Sequence, residues 1–81
     1  MPTHVLLFYK YVAVPSPSAV CEWTRELASE LALSGRVLVA REGVNGSLAG
    51  EPDALARYSA AMDAHPLFGS IDWKLSADAG D

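Results

Sequence analysis

The chain has 81 residues, of which 51% are hydrophobic and 20% are charged, and its formal net charge is −4. This length allows one domain on a single hydrophobic core, and the apolar content excludes a disordered chain. No apolar run approaches the roughly 20 residues of a membrane span, and no secretory signal is visible. Cys21 is the only cysteine. An internal disulfide is therefore excluded, and a reducing, cytoplasmic location is expected.

The first part of the chain predicts a strand followed by a helix. Residues 4–12 are dense in Val, Leu, Phe and Tyr, which is typical of a central strand. Pro15 ends this strand, and Pro17 suits the first position of a helix that has Ser16 as its N-cap. Apolar residues then recur at helical spacing, at Val20, Trp23, Leu27 and Leu31. Gly35 is expected to stop the helix.

A glycine-rich hairpin is predicted over residues 41–50. Residues 36–40 form a short apolar strand that leads into it. Asn45-Gly46 is a turn dipeptide, so the return strand is expected at residues 46–49 and a positive φ angle at Gly46. On that basis Gly46→Val should destabilise the fold. The hairpin is expected to perform no chemistry.

The second half of the chain predicts another helix and another strand. Pro52 opens the helix, whose buried stripe is Leu55, Tyr58 and Met62. His65 precedes a proline, which disfavours continuation of the helix. Apolar residues alternate with charged ones from Ile71 to Leu75, as in a half-buried strand. The domain is expected to span residues 1–76, and residues 77–81 to be a flexible tail.

The order β-α-β-β-α-β predicts an α+β ferredoxin-like sandwich. In this fold one four-stranded antiparallel sheet carries both helices on one face. Right-handed crossovers place the first and third strands in its centre. The other face of the sheet is then uncovered, and such a face is commonly a docking surface.

No catalytic residue, metal site or cofactor is predicted for this domain. Cys21 has no histidine or second cysteine near it in sequence, and His4 and His65 are far apart. The acylphosphatases share the topology, but their phosphate chemistry needs an arginine-bearing glycine-rich first loop, whereas residues 13–18 hold two prolines and no arginine. An autonomous enzyme is therefore disfavoured.

RNA recognition motifs use a similar sheet, in which exposed aromatic rings stack on bases. Phe8, Tyr9 and Tyr11 are candidates for such a role. The third strand is small and glycine-bearing and lacks the basic-aromatic signature. Core packing is therefore the favoured interpretation for most of these rings.

Several motifs together resemble one known family. They are Phe-Tyr-Lys-Tyr at 8–11, Gly-Arg-Val-Leu-Val-Ala at 35–40, Glu-Gly-Val-Asn-Gly-Ser at 42–47, Pro-Leu-Phe at 66–68 and Trp-Lys at 73–74. In this combination the chain resembles the N-terminal domain of the rhodanese-containing tRNA uridine hydroxylases. It is also similar to the N-terminal module of eukaryotic rhodanese-like domain-containing proteins. The resemblance covers residues 8–76.

The resemblance implies a role in tRNA modification and an oxidoreductase parent. Family members join an acylphosphatase-like N-domain to a rhodanese domain with a reactive cysteine, and the bacterial members hydroxylate the wobble uridine of certain tRNAs with oxygen. Cys21 does not correspond to the rhodanese cysteine, so no catalytic residue carries over to this chain. The implied partners are tRNA and a C-terminal rhodanese domain, which this chain lacks and to which the tail at residues 77–81 would lead. No membrane association is expected.

Two interpretations of the domain stay open. A net negative charge argues against a stand-alone nucleic-acid binder, yet a local basic patch can position tRNA with help from another domain. Alternatively, the open sheet face packs on the rhodanese domain and supports it. A cluster of Lys10, Arg41 and Lys74 would favour RNA, and an exposed patch containing Leu6 and Phe8 would favour docking. The candidate contact residues are Lys10, Arg36, Arg41, Glu42, Asn45 and Lys74.

Overall fold

A computed structural model describes residues 4–77 of the chain. Its elements are β1 (His4–Tyr11), α1 (Pro17–Glu30), β2 (Ser34–Ala40), β3 (Gly43–Gly50), α2 (Pro52–Ala64) and β4 (Asp72–Ala77). The strands form one sheet in the order β2-β3-β1-β4, and every neighbouring pair is antiparallel. The predicted ferredoxin-like α+β fold is confirmed, with β1 and β3 in the centre of the sheet.

The end of β4 lies one residue beyond the domain boundary predicted at residue 76. From residue 78 onward, the predicted tail lies outside the described residues. Among residues 4–77, no helix is long and apolar enough to cross a membrane.

Side-chain alternation along β1 separates the two faces of the sheet. Leu6 and Phe8 are buried. Leu48 of β3 pairs with Leu6, and Val44, two residues from the Phe8 partner Gly46, lies on the same side. Both helices contribute to the core on this side, with Val20, Ala28, Leu55, Tyr58 and Met62. The core thus lies between the helices and one face of the sheet, and within residues 4–77 neither helix covers the opposite face.

The buried line of α1 differs slightly from the predicted stripe. Val20, Thr24 and Ala28 are buried, whereas Trp23, Leu27 and Leu31 are half-buried along its flank. The Thr24 hydroxyl donates a hydrogen bond to the carbonyl oxygen of Cys21 at 3.0 Å. A polar residue is therefore tolerated at the centre of the helix interface because its hydroxyl is paired within the helix.

The prediction that Gly35 stops α1 is wrong. The helix ends at Glu30, and Gly35 lies in β2. The residue in the left-handed conformation is Ala32, with φ of 58°. The Ala32 N–H donates to the Ser29 carbonyl at 3.1 Å, and the Leu33 N–H donates to the Ala28 carbonyl at 2.9 Å. These two bonds form a Schellman motif in which alanine occupies the position that usually holds glycine.

Ala32→Gly is expected to stabilise the protein, because glycine adopts the left-handed conformation without the Cβ clash that alanine suffers. A gain of about 1 kcal/mol should raise Tm by roughly 4–8 °C in a domain of this size. The matched control is Ala60→Gly, since Ala60 is exposed within α2. The same atoms are removed there, yet Tm should fall by a similar amount. An unchanged or lower Tm for Ala32→Gly would contradict the assignment of this motif.

Tyr58 of α2 is completely buried, with 0% of its surface exposed. Its ring contacts those of Phe8 and Trp73, with centroid distances of 5.7 and 6.4 Å. Its hydroxyl has no hydrogen-bond partner among the described residues. Burial raises the pKa of the Tyr58 phenol well above its ordinary value of 10.0, because the ionised form would lose its hydration.

The raised pKa of Tyr58 predicts a loss of stability at alkaline pH. Above about pH 10 the unfolded phenol ionises while the folded one keeps its proton, so the free energy of unfolding falls by up to ~1.4 kcal/mol per pH unit. Tyr58→Phe should remove this component and, at neutral pH, stabilise the fold by about 1 kcal/mol, because an unpaired buried hydroxyl is lost. Urea unfolding from about pH 9 to about pH 11 measures it. The control is Tyr11→Phe, at an exposed ring, in which the free energy of unfolding should fall with pH as in the wild type. If it falls equally steeply in Tyr58→Phe, the assignment of this component to Tyr58 is contradicted.

Candidate functional site

The hairpin between β2 and β3 turns earlier than predicted. Ala40 pairs with Gly43, so Arg41 and Glu42 form the turn. Asn45 and Gly46 lie inside β3, and the expectation of a turn with positive φ at Gly46 is wrong. The positive φ belongs to Gly43, at 156°, where a Cβ atom would also overlap the carbonyl oxygen of Lys10. A glycine is thus needed where the chain enters β3, and the Asn-Gly pair has another role.

The role of Gly46 is to leave room for a ring. A Cβ atom at this position would lie 2.6 Å from Cζ and 2.9 Å from Cε1 of Phe8, and 3.0 Å from the carbonyl oxygen of Arg36. The Phe8 ring has little freedom to move away, because it also contacts the rings of Tyr58 and Trp73. Because Gly46 has no side chain, β1 and β3 can pair with each other while the Phe8 ring fills the space between the sheet and the helices.

The turn itself is fixed by backbone hydrogen bonds. The Val12 N–H donates to the carbonyl oxygen of Glu42, and the Val14 N–H donates to that of Arg41, both at 2.9 Å. The side chains of Arg41 and Glu42 are exposed. Within residues 4–77 Glu42 forms no ion pair with either Arg41 or Arg36; the ion pair found there joins Arg57 to Asp53 at 3.5 Å. Both turn side chains are free to meet a ligand.

The sheet face opposite the helices is called the open face here. The strand register places its outward side chains in rows that cross all four strands. The first row is Arg36, Ser47, Leu7 and Lys74, and the second is Leu38, Asn45, Tyr9 and Asp72. Tyr11 follows in a third row, next to Gly43. A shallow groove of about 560 Å³ runs over the first two rows.

The open face gathers three of the six predicted contact residues. Arg36 and Lys74 lie at opposite ends of the first row, about 14 Å apart across three strand spacings, and Asn45 lies in the second row. Arg41 and Glu42 lie at the turn, beyond the third row.

Lys10 does not join Lys74. It has the same side-chain parity as Phe8, on the helix side, and its Nζ donates to the carbonyl oxygen of Gly69. The cluster of Lys10, Lys74 and Arg41 that would favour RNA is therefore absent. The remaining basic groups on the open face are Arg36 and Lys74.

Exposed apolar side chains occupy the middle of the open face. The exposed fractions are 43% for Leu7, 50% for Tyr9, 85% for Tyr11 and 54% for Leu38. Core packing is confirmed for Phe8 but is wrong for the two tyrosines. Leu6 and Phe8 are buried, so they form no docking patch. Strict alternation from a buried Phe8 is the signal in the sequence that identifies Leu7, Tyr9 and Tyr11 as outward residues.

Cys21 and His65 lie away from this face and have structural partners, whereas the buried Nδ1 of His4 has no hydrogen-bond partner among the described residues. Cys21 is half-buried on α1, and its sulfur lies 4.0 Å from Nη2 of Arg25. His65 accepts a hydrogen bond at Nδ1 from the Leu67 N–H at 3.1 Å, and its ring packs on Trp23. In the described part of the chain, no group of three or more His, Cys, Asp or Glu side chains is placed to hold a metal ion.

Comparison with known proteins adds a second line of evidence. The family described as "UPF0176 acylphosphatase like domain" matches residues 3–81. The chain is 36% identical over 72 residues to a tRNA uridine(34) hydroxylase of Corynebacterium diphtheriae, covering 89% of this chain and 23% of that protein. It is 35% identical over 79 residues to one of Bacillus cereus strain G9842, covering 98% and 25%. The chain thus spans about a quarter of the length of these relatives.

Gly46→Ala is expected to destabilise the fold by about 1–3 kcal/mol, because the added methyl group overpacks against Phe8. In a Phe8→Leu background the same substitution should cost clearly less, since the ring is gone. Gly69→Ala is the control, because its Cβ would lie at an ordinary 3.7 Å from the Asp63 carbonyl oxygen. Chemical unfolding of the four cycle members measures the coupling. An equal cost of Gly46→Ala in both backgrounds would exclude Phe8 as the reason for the glycine.

Proposed function

Because this chain belongs to the UPF0176 acylphosphatase-like domain family, we propose that it is a non-catalytic accessory domain of a tRNA-modifying protein. Its task is to contact and position tRNA through the open face. The observation that carries the proposal is the composition of the open face, where Arg36 and Lys74 lie at the two ends of one row and the exposed Tyr9 lies in the next row. The relatives of this domain are named tRNA uridine(34) hydroxylases.

The charge distribution supports contact by this face in spite of the net charge of −4. Acidic side chains are concentrated on α1 and α2, at Glu22, Glu26, Glu30, Asp53 and Asp63. The open face carries Arg36 and Lys74 against a single carboxylate, that of Asp72, in the rows described above. A polyanion is therefore repelled from the helix side and accepted on the open face.

Two cationic side chains provide only a low affinity for the phosphate backbone. Contacts to phosphates set orientation and do not read sequence. The domain is thus expected to assist another part of the protein, which supplies most of the affinity and all of the chemistry.

For the whole protein we propose hydroxylation of a tRNA uridine in the cytoplasm, as an oxidoreductase that uses oxygen. The relatives' name supports this reaction, and a rhodanese domain with a reactive cysteine is the proposed site of catalysis and the proposed partner of this chain. Cys21 lies on α1, on the far side of the sheet from the open face, and takes no part in the proposal.

A second candidate function rests on Leu7 and Leu38. Both are about half exposed in the centre of the open face. Aliphatic side chains neither stack on bases as aromatic rings do nor bind phosphates. In this alternative the face packs against the rhodanese domain and supports it, as an apolar patch with a polar rim does in protein interfaces.

Electrophoretic mobility of tRNA with this chain, measured at several salt concentrations, tests the proposal. Arg36→Gln combined with Lys74→Gln should weaken binding several-fold and lower the salt slope by about 1.4–1.8, because two phosphate contacts are lost. Arg57→Gln removes an exposed cation from α2 and serves as the matched control, with binding expected to be unchanged. Absence of tRNA binding at low salt would reject the proposal, as would a double variant that binds like the wild type.

A further inference from the structure

Tyr9 and Tyr11 form an exposed aromatic pair on the central strand of the sheet. Their ring centroids are 6.1 Å apart in an edge-to-face arrangement. The third tyrosine of the chain, Tyr58, is fully buried in the core. The two rings on β1 have no such cover, because neither helix of the described chain packs on their side of the sheet. Tyr9 is 50% exposed and Tyr11 is 85% exposed, so each presents apolar ring surface to solvent.

The residues beside this pair are small. Asn45 and Gly43 are the β3 partners of Tyr9 and Tyr11, and Ala40 pairs with Gly43 in turn. The rings therefore border a depression of about 280 Å³, whose lining includes Ala40, Glu42 and Asn45. A flat group that stacks on Tyr11 can extend over Gly43 and Ala40, neither of which has a side chain larger than a methyl group.

The charged groups flank the pair asymmetrically. The row of Arg36 and Lys74 lies two residues along the strands from Tyr9, or about 7 Å. That separation is comparable to the distance between a phosphate and its own base. At the opposite end, beyond Tyr11, the turn carries the exposed side chains of both Arg41 and Glu42, whose opposite charges offset each other. A nucleic-acid backbone is therefore directed to the Arg36–Lys74 row, and its bases point towards the turn.

We propose that the open face binds an unpaired RNA segment, with successive bases stacked on Tyr9 and Tyr11, phosphates at Arg36 and Lys74, and Asn45 at a base edge. This inference rests on the proposed RNA-contacting function and specifies its ligand. Bases in a duplex are stacked on each other and present no face to a protein ring, whereas unpaired bases do. With two cations available, stacking supplies most of the affinity, so binding depends less steeply on salt than in a basic RNA-binding domain.

Fluorescence anisotropy with a labelled short oligouridine, against a labelled RNA duplex of the same length and intact tRNA, tests this inference. The single strand should bind more tightly than the duplex. Tyr9→Leu and Tyr11→Leu should each weaken single-strand binding by roughly five-fold or more, since a stacked base contributes about 1–3 kcal/mol. Tyr9→Phe keeps the ring and should bind like the wild type.

Leu75→Ala is the control for loss of an exposed apolar side chain, because Leu75 is 58% exposed but shares the helix-side parity of its partner Leu6. Its RNA binding should be unchanged. All variants are compared by thermal unfolding, and since the two tyrosines are exposed, leucine should preserve the fold.

The outcomes separate this inference from the proposed function. If tRNA binds through Arg36 and Lys74 while duplex competes equally and both Tyr→Leu variants bind normally, the stacking inference is overturned and the RNA-contacting function stands. If no RNA binds at low salt, both fail. Self-association that Tyr9→Leu abolishes, without RNA binding, would assign the open face to a second copy of the chain and would likewise overturn the inference.

Discussion

The contact between the Phe8 ring and Gly46 is the constraint on which the rest of this structure depends. The ring occupies the space that a side chain at Gly46 would fill, and it contacts Tyr58 and Trp73 on its other sides. This contact fixes the register of β1 on β3. A slip of one residue would move every side chain of β1 to the opposite face. The same contact that completes the core therefore determines which residues of β1 point outward.

The functional proposals follow from that choice of face. With Leu6 and Phe8 directed to the helices, Leu7, Tyr9 and Tyr11 must lie on the open face. The register then carries Arg36 and Lys74 to the two ends of one row. Because acidic residues are concentrated on the helices, the two sides of the sheet differ in charge as well as in cover. A domain with a net charge of −4 thus retains one face that can accept an anionic ligand.

Local sequence signals were sufficient for the order of the elements and for the fold class. Proline at the start of each helix and the apolar spacing within it are read from neighbouring residues, and both helices begin at the predicted prolines, Pro17 and Pro52. The errors arose where a residue's role depends on a distant contact. The Asn45-Gly46 dipeptide predicts a turn, whereas the structure needs glycine at position 46 because the Phe8 ring of another strand occupies the space of a side chain. Similarly, Ala32 adopts the left-handed conformation that Gly35 was expected to supply.

The candidate site was only partly predictable for the same reason. Arg36, Asn45 and Lys74 were identified by residue type, and the structure brings them to one face. Lys10 was grouped with them, yet alternation from Phe8 directs it to the helix side, where it bonds to Gly69. Aromatic content favours core packing for most of Phe8, Tyr9 and Tyr11, because composition alone does not distinguish the two faces of a strand; the structure exposes both tyrosines. Whether these residues contact RNA stays a prediction.

The central claim, that the open face is the surface that meets RNA, is tested most directly by NMR. Backbone amide shifts of this chain would be followed while tRNA is added at low salt. The largest changes are expected at outward residues of the four strands, around Tyr9, Arg36, Asn45 and Lys74, while the amides of exposed residues in α1 and α2 stay unchanged. Changes confined to the helices, or none at all, would contradict it.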